Sequence, residues 1–220
     1  MAYNFSSGPS LLETCPERSA GNHTASALSD LKADIYRLEG RFSWPLLIKN
    51  FVAKISFRPV ATMRLCQAAA QSTGFFRLLL PVCQLLHRFA RAGAGMDFNW
   101  RAQIGGGLSM LHSWGTVIGY GVRVGRNVTL THGVTLGRRV RIAADGSRSD
   151  LEWPVIEDEV WIGPHAVIVG AVTVGRGSRI AAGSFVTEEV PPYSVVRGNP
   201  AVIVKRGCVP DVCNPAPLDL

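Results

Sequence analysis

Aliphatic residues recur every six positions between Ile104 and Val190, and this period is the strongest pattern in the chain. A second small or branched residue stands four positions after most of them. Hexapeptide repeats of this kind build parallel β-helices, in which each short strand stacks on its copy one coil away. We therefore predict a mainly β fold, a three-sided solenoid with the aliphatic side chains inside. The residues that carry the period are Ile104, Met110, Ile118, Val124, Leu130, Leu136, Ile156, Ile162, Ile168, Val174, Ile180 and Val186.

The composition of the repeats favours strands over helices. Residues 115–137 are rich in glycine, valine and threonine, which are typical of strands and turns. An ordinary sandwich of short strands is the alternative, and it predicts turn signals at less regular spacing.

Upstream of the repeats the pattern changes to apolar residues at spacings of three and four, which is typical of amphipathic helices. Ser29 or Asp30 is placed to cap the first helix. Further helical segments are predicted over 44–57, 60–71 and 75–92, the last one kinked at Pro81. Its apolar and basic residues suit packing on neighbouring helices or another subunit, or contact with an anionic membrane surface.

These patterns divide the chain into four parts. We predict a flexible tail over 1–25, an α-helical region over 26–95, a β-helix domain over 96–206 and a second flexible tail over 207–220. The polar stretch 138–150 interrupts the repeats and is predicted to be a surface loop, where solenoids place their insertions.

Composition narrows the class of protein. The 220 residues carry a net charge of +7, which favours anionic partners. No nucleic-acid-binding motif is present, so nucleic acid is not an expected partner. The five cysteines are scattered and indicate neither a disulfide framework nor a metal site. With no secretory signal at the N-terminus, we expect a cytoplasmic protein, with peripheral contact at the inner face of the membrane as an open alternative.

Two histidines stand in the same phase of the repeat. His112 follows Met110 by two positions, and His132 follows Leu130 by two, so both should lie on one edge of neighbouring coils. Asp97 precedes His112 by nearly one coil, which would bring a carboxylate near that imidazole. A histidine beside a carboxylate is a plausible general base. The alternative is that these are surface polar residues on an edge of the solenoid.

Three segments resemble the serine acetyltransferase family and its relatives that acetylate colanic acid and capsular polysaccharides. These are 104–119 (IGGGLSMLHSWGTVIG), 132–137 (HGVTLG) and 198–205 (GNPAVIVK). The resemblance implies a left-handed parallel β-helix preceded by helices. It further implies acetyl-CoA as donor, no metal, and a homotrimer with active sites between subunits. The N-terminal helices are then candidates for joining two trimers.

By this resemblance His112 aligns with the catalytic histidine and Asp97 with its partner aspartate. The implied reaction is direct: His112 removes a proton from an acceptor hydroxyl, which attacks the thioester. His132 is expected to bind acceptor or to stack in the edge.

The acetyl-CoA arm is expected along one edge of the solenoid. Small residues there would let backbone amides approach the pantetheine, and basic residues would meet the phosphates. The expected cofactor-binding residues are Gly137, Arg138, Gly163, Pro164, Ala181, Ala182 and Lys205, with Arg139 and Arg206 as further phosphate contacts.

The resemblance breaks where serine acetyltransferases hold their acceptor. Their Asp-Arg-His-Pro run corresponds to 151–154 (LEWP), which replaces a cation with Glu152, and the acidic residue before the catalytic histidine is Leu111. Trp114 and Trp153 resemble the stacking surfaces used by sugars. We therefore expect an O-acetyltransferase acting on a saccharide of capsule, exopolysaccharide or lipopolysaccharide biosynthesis. Serine O-acetyltransferase of cysteine biosynthesis is the first alternative, and a non-catalytic trimeric scaffold is the second.

Overall fold

A computed structural model describes residues 26–140, 145–146 and 152–217. The predicted tail over 1–25 and most of the loop within 141–151 lie outside the described residues. Within them, a helical region precedes a β-solenoid of five coils, which confirms the predicted fold class. The helices are α1 (Ala27–Glu39), α2 (Trp44–Ala53), α3 (Phe57–Gln71), α4 (Phe75–Leu78) and α5 (Leu80–Ala94).

Each of the first four coils contributes one strand to each of three sheets, and the fifth contributes strands to two of them. The first coil contains β1 (Asp97–Phe98), β2 (Gln103–Ile104) and β3 (Ser109–Leu111). The second contains β4 (Val117–Ile118), β5 (Arg123–Val124) and β6 (Thr129–Thr131). The third contains β7 (Thr135–Gly137), β8 (Val155–Ile156) and β9 (Trp161–Ile162). The fourth contains β10 (Val167–Val169), β11 (Thr173–Val174) and β12 (Arg179–Ile180). The fifth contains β13 (Phe185–Val186) and β14 (Val195–Arg197), and β15 (Val202–Lys205) follows it.

Strand pairing follows the period of the sequence. Ile118 pairs with Leu136, and Ile168 pairs with Val186, each one coil apart. Among the described strands, those of neighbouring coils pair in parallel, and β15 turns back to run antiparallel beside β14. Parallel stacking of this kind excludes the sandwich alternative. The aliphatic residues of the period are buried along the axis and form one core. The left hand of the solenoid remains a prediction from the resemblance.

The helices begin and end partly where the sequence indicates. Ser26, rather than Ser29 or Asp30, caps α1, because its hydroxyl accepts a hydrogen bond from the amide of Ser29. Pro81 stands in the first turn of α5, where a missing amide is tolerated, so a break separates α4 from α5 in place of a kink. The second helix ends at Ala53, before the predicted end at residue 57.

A buried ion pair fastens the helical region to the first coil. The carboxylate of Asp34 accepts hydrogen bonds from the Arg64 guanidinium and from the amides of Gly107 and Leu108, each at 2.9 Å. Arg64 also donates to the carbonyl of Ile104 at 2.7 Å. Asp34 and Arg64 are both buried, so these contacts replace water completely. They hold α1 and α3 against the turn that leads into β3.

The three corners of the solenoid carry different features. The histidine corner is formed by 112–116, 132–134, 163–166 and 181–184, between the third and first sheets. The loop corner is formed by 119–122, 138–140, 152–154 and 170–172, between the first and second sheets. The tail corner is formed by 105–108, 125–128, 157–160 and 175–178, between the second and third sheets. The interrupting segment leaves from the loop corner, where Arg139 and Glu152 form an antiparallel bridge at its base.

The C-terminal segment, for which a flexible tail was expected, makes defined contacts over residues 208–217. The amide of Cys208 donates to the carbonyl of Tyr193 at 2.8 Å. Asn127 at the tail corner accepts from the amide of Ala216 at 2.9 Å and donates to its carbonyl at 3.1 Å. Arg37 of α1 donates to the carbonyl of Cys213.

Candidate functional site

The histidine corner brings three imidazoles into one row. Met110 pairs with Leu130, so His112 and His132 lie on neighbouring coils as expected, with ring centroids 6.4 Å apart. His165 continues the row on the third coil, with its centroid 4.9 Å from that of His132. The sequence reasoning missed His165, because it stands one position later in its hexad than the other two.

At two turns of this corner, residues with side chains adopt a backbone conformation that usually favours glycine. His112 and His165 have φ of 55° and 57°, in the left-handed region that disfavours side chains. Gly133 and Gly183 hold such positions on the second and fourth coils, with φ of 68° and 67°. Positive φ also occurs at Asn127, Glu159 and Tyr193, so this conformation recurs at other turns of the solenoid and does not by itself mark the site. His112 and His165 are both exposed, whereas His132 is half-buried between them.

A cleft of 210 Å³ opens beside His112, between the helical region and the first coil. One wall is formed by Leu108, Met110, Leu111 and His112, and the other by Leu38, Lys54, Ser56, Phe57 and Val60. Among the described residues, those that line the cleft include no carboxylate. The lining is therefore apolar with one imidazole, one hydroxyl and one ammonium group. Lys54 and Ser56 join α2 to α3 outside any repeat, so no sequence signal pointed to them.

Asp97 lies on β1, which stacks on the strand that follows the histidine corner. Its carboxylate is exposed and accepts a hydrogen bond from the guanidinium of Arg91 at 2.6 Å. Within the described residues no hydrogen bond joins Asp97 to His112. The predicted carboxylate–imidazole pair is therefore not formed here, and its catalytic role stays a prediction.

The two tryptophans predicted to bind acceptor lie at different corners. Trp114 follows His112 at the histidine corner, 65% exposed, with its ring over Gly95. Trp153 lies at the loop corner and packs over Gly119 and Gly121, where a Cβ would meet the indole at 2.2 and 2.5 Å. Of these two tryptophans, Trp114 lies beside the His112 of its own chain and Trp153 does not.

The predicted cofactor residues also divide between corners. Gly163, Pro164, Ala181 and Ala182 lie on the third and fourth coils of the histidine corner, in line with the imidazole row. A Cβ at Gly163 would lie 2.7 Å from the amide nitrogen of Ala182, so these coils approach closely.

The other predicted cofactor residues lie elsewhere. Gly137 ends β7, Arg138 follows it at the loop corner, and Lys205 ends β15 opposite Val195. Within one chain these groups do not share an edge with the small residues of the histidine corner.

Cysteine chemistry and metal binding receive no support from the described residues. Burial raises the pKa of the Cys66 thiol to about 12, so it carries almost no thiolate at neutral pH. Ser113, next to His112, is buried and donates its hydroxyl to the carbonyl of Ala94 at 3.1 Å. In the parts of the chain described, no group of three potential ligands is arranged to hold a metal ion.

Comparison with known families and proteins places the chain among hexapeptide-repeat transferases. The family described as bacterial transferase hexapeptide (six repeats) matches residues 154–188, and that described as hexapeptide repeat of succinyl-transferase matches 115–144. The serine acetyltransferase of Bacillus licheniformis is 37% identical over 127 residues, which are 57% of this chain and 56% of that protein. The chain thus spans little more than half the length of this curated relative.

Solved structures give a wider match. The serine acetyltransferase of Brucella abortus strain S19 has a TM-score of 0.64 at 30% identity, covering 82% of this chain and 70% of that one. Soybean serine acetyltransferase complexed with serine has a TM-score of 0.61 at 28% identity, covering 81% and 70%. The match includes the helical region as well as the coils, since it exceeds the length of the solenoid. The chain belongs to the serine acetyltransferase family of hexapeptide-repeat transferases.

Proposed function

We propose that the protein is an acetyl-CoA-dependent O-acetyltransferase with His112 as general base. The observation that carries the proposal is the exposed imidazole of His112 at the mouth of the cleft, in line with the small residues of the histidine corner. An acceptor in the cleft and a thioester along the corner would meet at this imidazole. Family membership supports acetyl-CoA as the donor.

The reaction needs one proton carrier and no acyl-enzyme. His112 takes the proton of the acceptor hydroxyl as its oxygen attacks the thioester carbon. The C–S bond then breaks, and the coenzyme A sulfur leaves with the proton that His112 releases. The buried Ser113 and Cys66 are poor nucleophiles for a covalent route.

Asp97 is proposed to orient the imidazole of His112 once substrates are bound. This role requires the Asp97 carboxylate to exchange its contact with Arg91 for one with His112. An exposed ion pair is worth about 1 kcal/mol or less, so such an exchange is inexpensive.

The acceptor we propose first is L-serine. The names of the relatives support it, and none of those reported above refers to a polysaccharide. This ranks serine above the saccharide that the sequence favoured.

A saccharide hydroxyl remains the second candidate because of the cleft itself. The described residues of its lining offer Lys54 and Ser56 but no carboxylate for the ammonium group of an amino acid. These contacts favour an acceptor without an ammonium group.

A homotrimer is part of the proposal. The loop corner holds Arg138, Glu152 and Trp153, whereas His112 lies at the histidine corner of the same chain. These residues contribute to one site only if the loop corner of a neighbouring subunit meets the histidine corner.

The test is thiol release from acetyl-CoA with L-serine and with a panel of oligosaccharides. We expect turnover with one acceptor class and a loss of about 10²–10⁴-fold in kcat for His112→Ala. His165→Ala is the comparison variant, since His165 also has a positive φ at the same corner but does not line the cleft, and it should lose far less kcat than His112→Ala. Full activity of His112→Ala would refute the general-base role. Turnover with oligosaccharides and none with serine would reverse the order of the two acceptors.

A further inference from the structure

Helix α5 presents apolar side chains on both of its faces. The inner face packs on α3, where the buried His87 is hydrogen-bonded to Thr62 at 3.0 Å. The outer face carries Val82, Leu85, Leu86 and Phe89, which are all more than half exposed. Their spacing of three, one and three places them on one stripe of the helix.

The short helix α4 extends this stripe. Phe75, Phe76 and Leu78 are 70%, 65% and 72% exposed. Contiguous apolar surface of this kind is uncommon on soluble monomers and marks an interaction site. We call the exposed residues of α4 and α5 together the outer face.

The outer face lies in a segment of the chain whose charged residues are all basic. Between residues 40 and 96 the sequence has eight basic residues and no acidic one. They are Arg41, Lys49, Lys54, Arg58, Arg64, Arg77, Arg88 and Arg91. Several are engaged within the fold, such as Arg64 with Asp34 and Lys49 with Glu39. Arg77 and Arg88 are exposed beside the apolar stripe and form no ion pair with any described residue.

We propose that the outer face lies on an anionic membrane surface. A stripe of phenylalanine and leucine flanked by arginines suits the boundary between headgroups and acyl chains. Arg77 and Arg88 would contact lipid phosphates while Phe76 and Phe89 enter the boundary. None of the described helices is long and apolar enough to cross a bilayer, so the contact is parallel to the surface.

Charge favours lipid over a second copy of the chain as the occupant. A two-fold contact between identical outer faces would bring Arg77 and Arg88 of one copy near those of the other. Within residues 40–96 there is no acidic side chain to separate them. An anionic lipid surface supplies the missing negative charge. The proposal is independent of the acceptor and of His112.

The test is co-sedimentation of the full chain with vesicles. One set is phosphatidylcholine alone, and the other contains about three parts phosphatidylcholine to one part phosphatidylglycerol. We expect binding to the mixed vesicles that weakens as salt is added. Arg77→Glu and Arg88→Glu should each lower the partition coefficient onto the mixed vesicles at least about fivefold, which is the contribution of one cation near an anionic surface. Leu85→Glu with Phe89→Glu should lower it further.

Val209→Glu is the matched control, because Val209 is apolar and 82% exposed but lies in the C-terminal segment. It should bind vesicles as the unchanged protein does. The proposal would be overturned if the unchanged protein bound both vesicle sets equally, or if Val209→Glu lost as much binding as the variants of the outer face. The proposal would also fail if variants of the outer face still bind vesicles but have a different sedimentation coefficient. That result would show that the outer face joins copies of the chain.

Discussion

Replacing Asp34 with alanine should separate the two walls of the cleft. Asp34 is fully buried, and its carboxylate is shared by Arg64, Gly107 and Leu108. Asp34→Ala leaves the guanidinium of Arg64 in the interior with one charge partner fewer. It also leaves the amides of Gly107 and Leu108 without the acceptor that satisfied them.

The expected loss is a large part of the protein's stability. Removing one partner of a buried ion pair lowers the free energy of unfolding by about 3–5 kcal/mol. Arg64 keeps its bonds to the carbonyls of Ile104 and Gly105, so we expect a loss of about 4 kcal/mol. Asp34→Asn retains an oxygen for the two amides and should lose about 2 kcal/mol.

Urea unfolding followed by circular dichroism measures these differences by linear extrapolation. Asp30→Ala is the matched control on the same helix. Asp30 is 3.4 Å from Arg64 and 3.8 Å from Arg126, but it accepts neither the Gly107 nor the Leu108 amide and is less buried than Asp34, so its loss should be smaller. The KM for the acceptor should rise in Asp34→Ala, because Leu108 and Val60 line opposite walls. An Asp34→Ala protein within about 1 kcal/mol of the unchanged one would refute the reasoning.

Three further predictions concern other residues. Burial lowers the pKa of His87 below its usual 6.5, so the folded protein disfavours the protonated imidazole. The free energy of unfolding should therefore be highest above pH 6.5 and fall as the pH drops below it. A His87→Gln protein whose melting temperature has the same pH slope would contradict this. A thiol reagent at neutral pH should modify the exposed Cys213 well before Cys66, whose pKa of about 12 excludes thiolate; mass spectrometry showing equal rates would contradict it. Asn127→Gly keeps the positive φ but loses both bonds to Ala216, so limited proteolysis should cleave residues 208–217 faster, with about 1–2 kcal/mol lost. Unchanged cleavage would show that Asn127 does not hold the segment.

The register of the solenoid could be predicted because the period is local. A strand that slipped by one residue would turn Ile118 or Leu136 out of the core, so the hexads fix the coils. The placement of His112 above His132 follows from the same rule. His165 escaped detection because its corner advances the imidazole by one position.

Contacts between distant parts of the chain could not be predicted. Asp34 and Arg64 belong to different helices, and no spacing in the sequence indicates that they meet at Gly107. Lys54 and Ser56 fell within the helix predicted over 44–57 but lie between α2 and α3, so their place in the cleft depends on how the helices dock. The prolines after Cys208 favour an extended chain, but composition does not reveal the surface on which such a chain lies.

The path of residues 208–217 changes how the solenoid should come apart. A stack of repeats touches only its nearest neighbours and can fray one coil at a time from an end. Here the segment touches Tyr193 on the last coil, Asn127 on the second and Arg37 of α1. Coils that share no strand pairing are thereby coupled, and opening the last one removes support from the second. We therefore expect the solenoid to unfold in a single cooperative step, as a globular domain does.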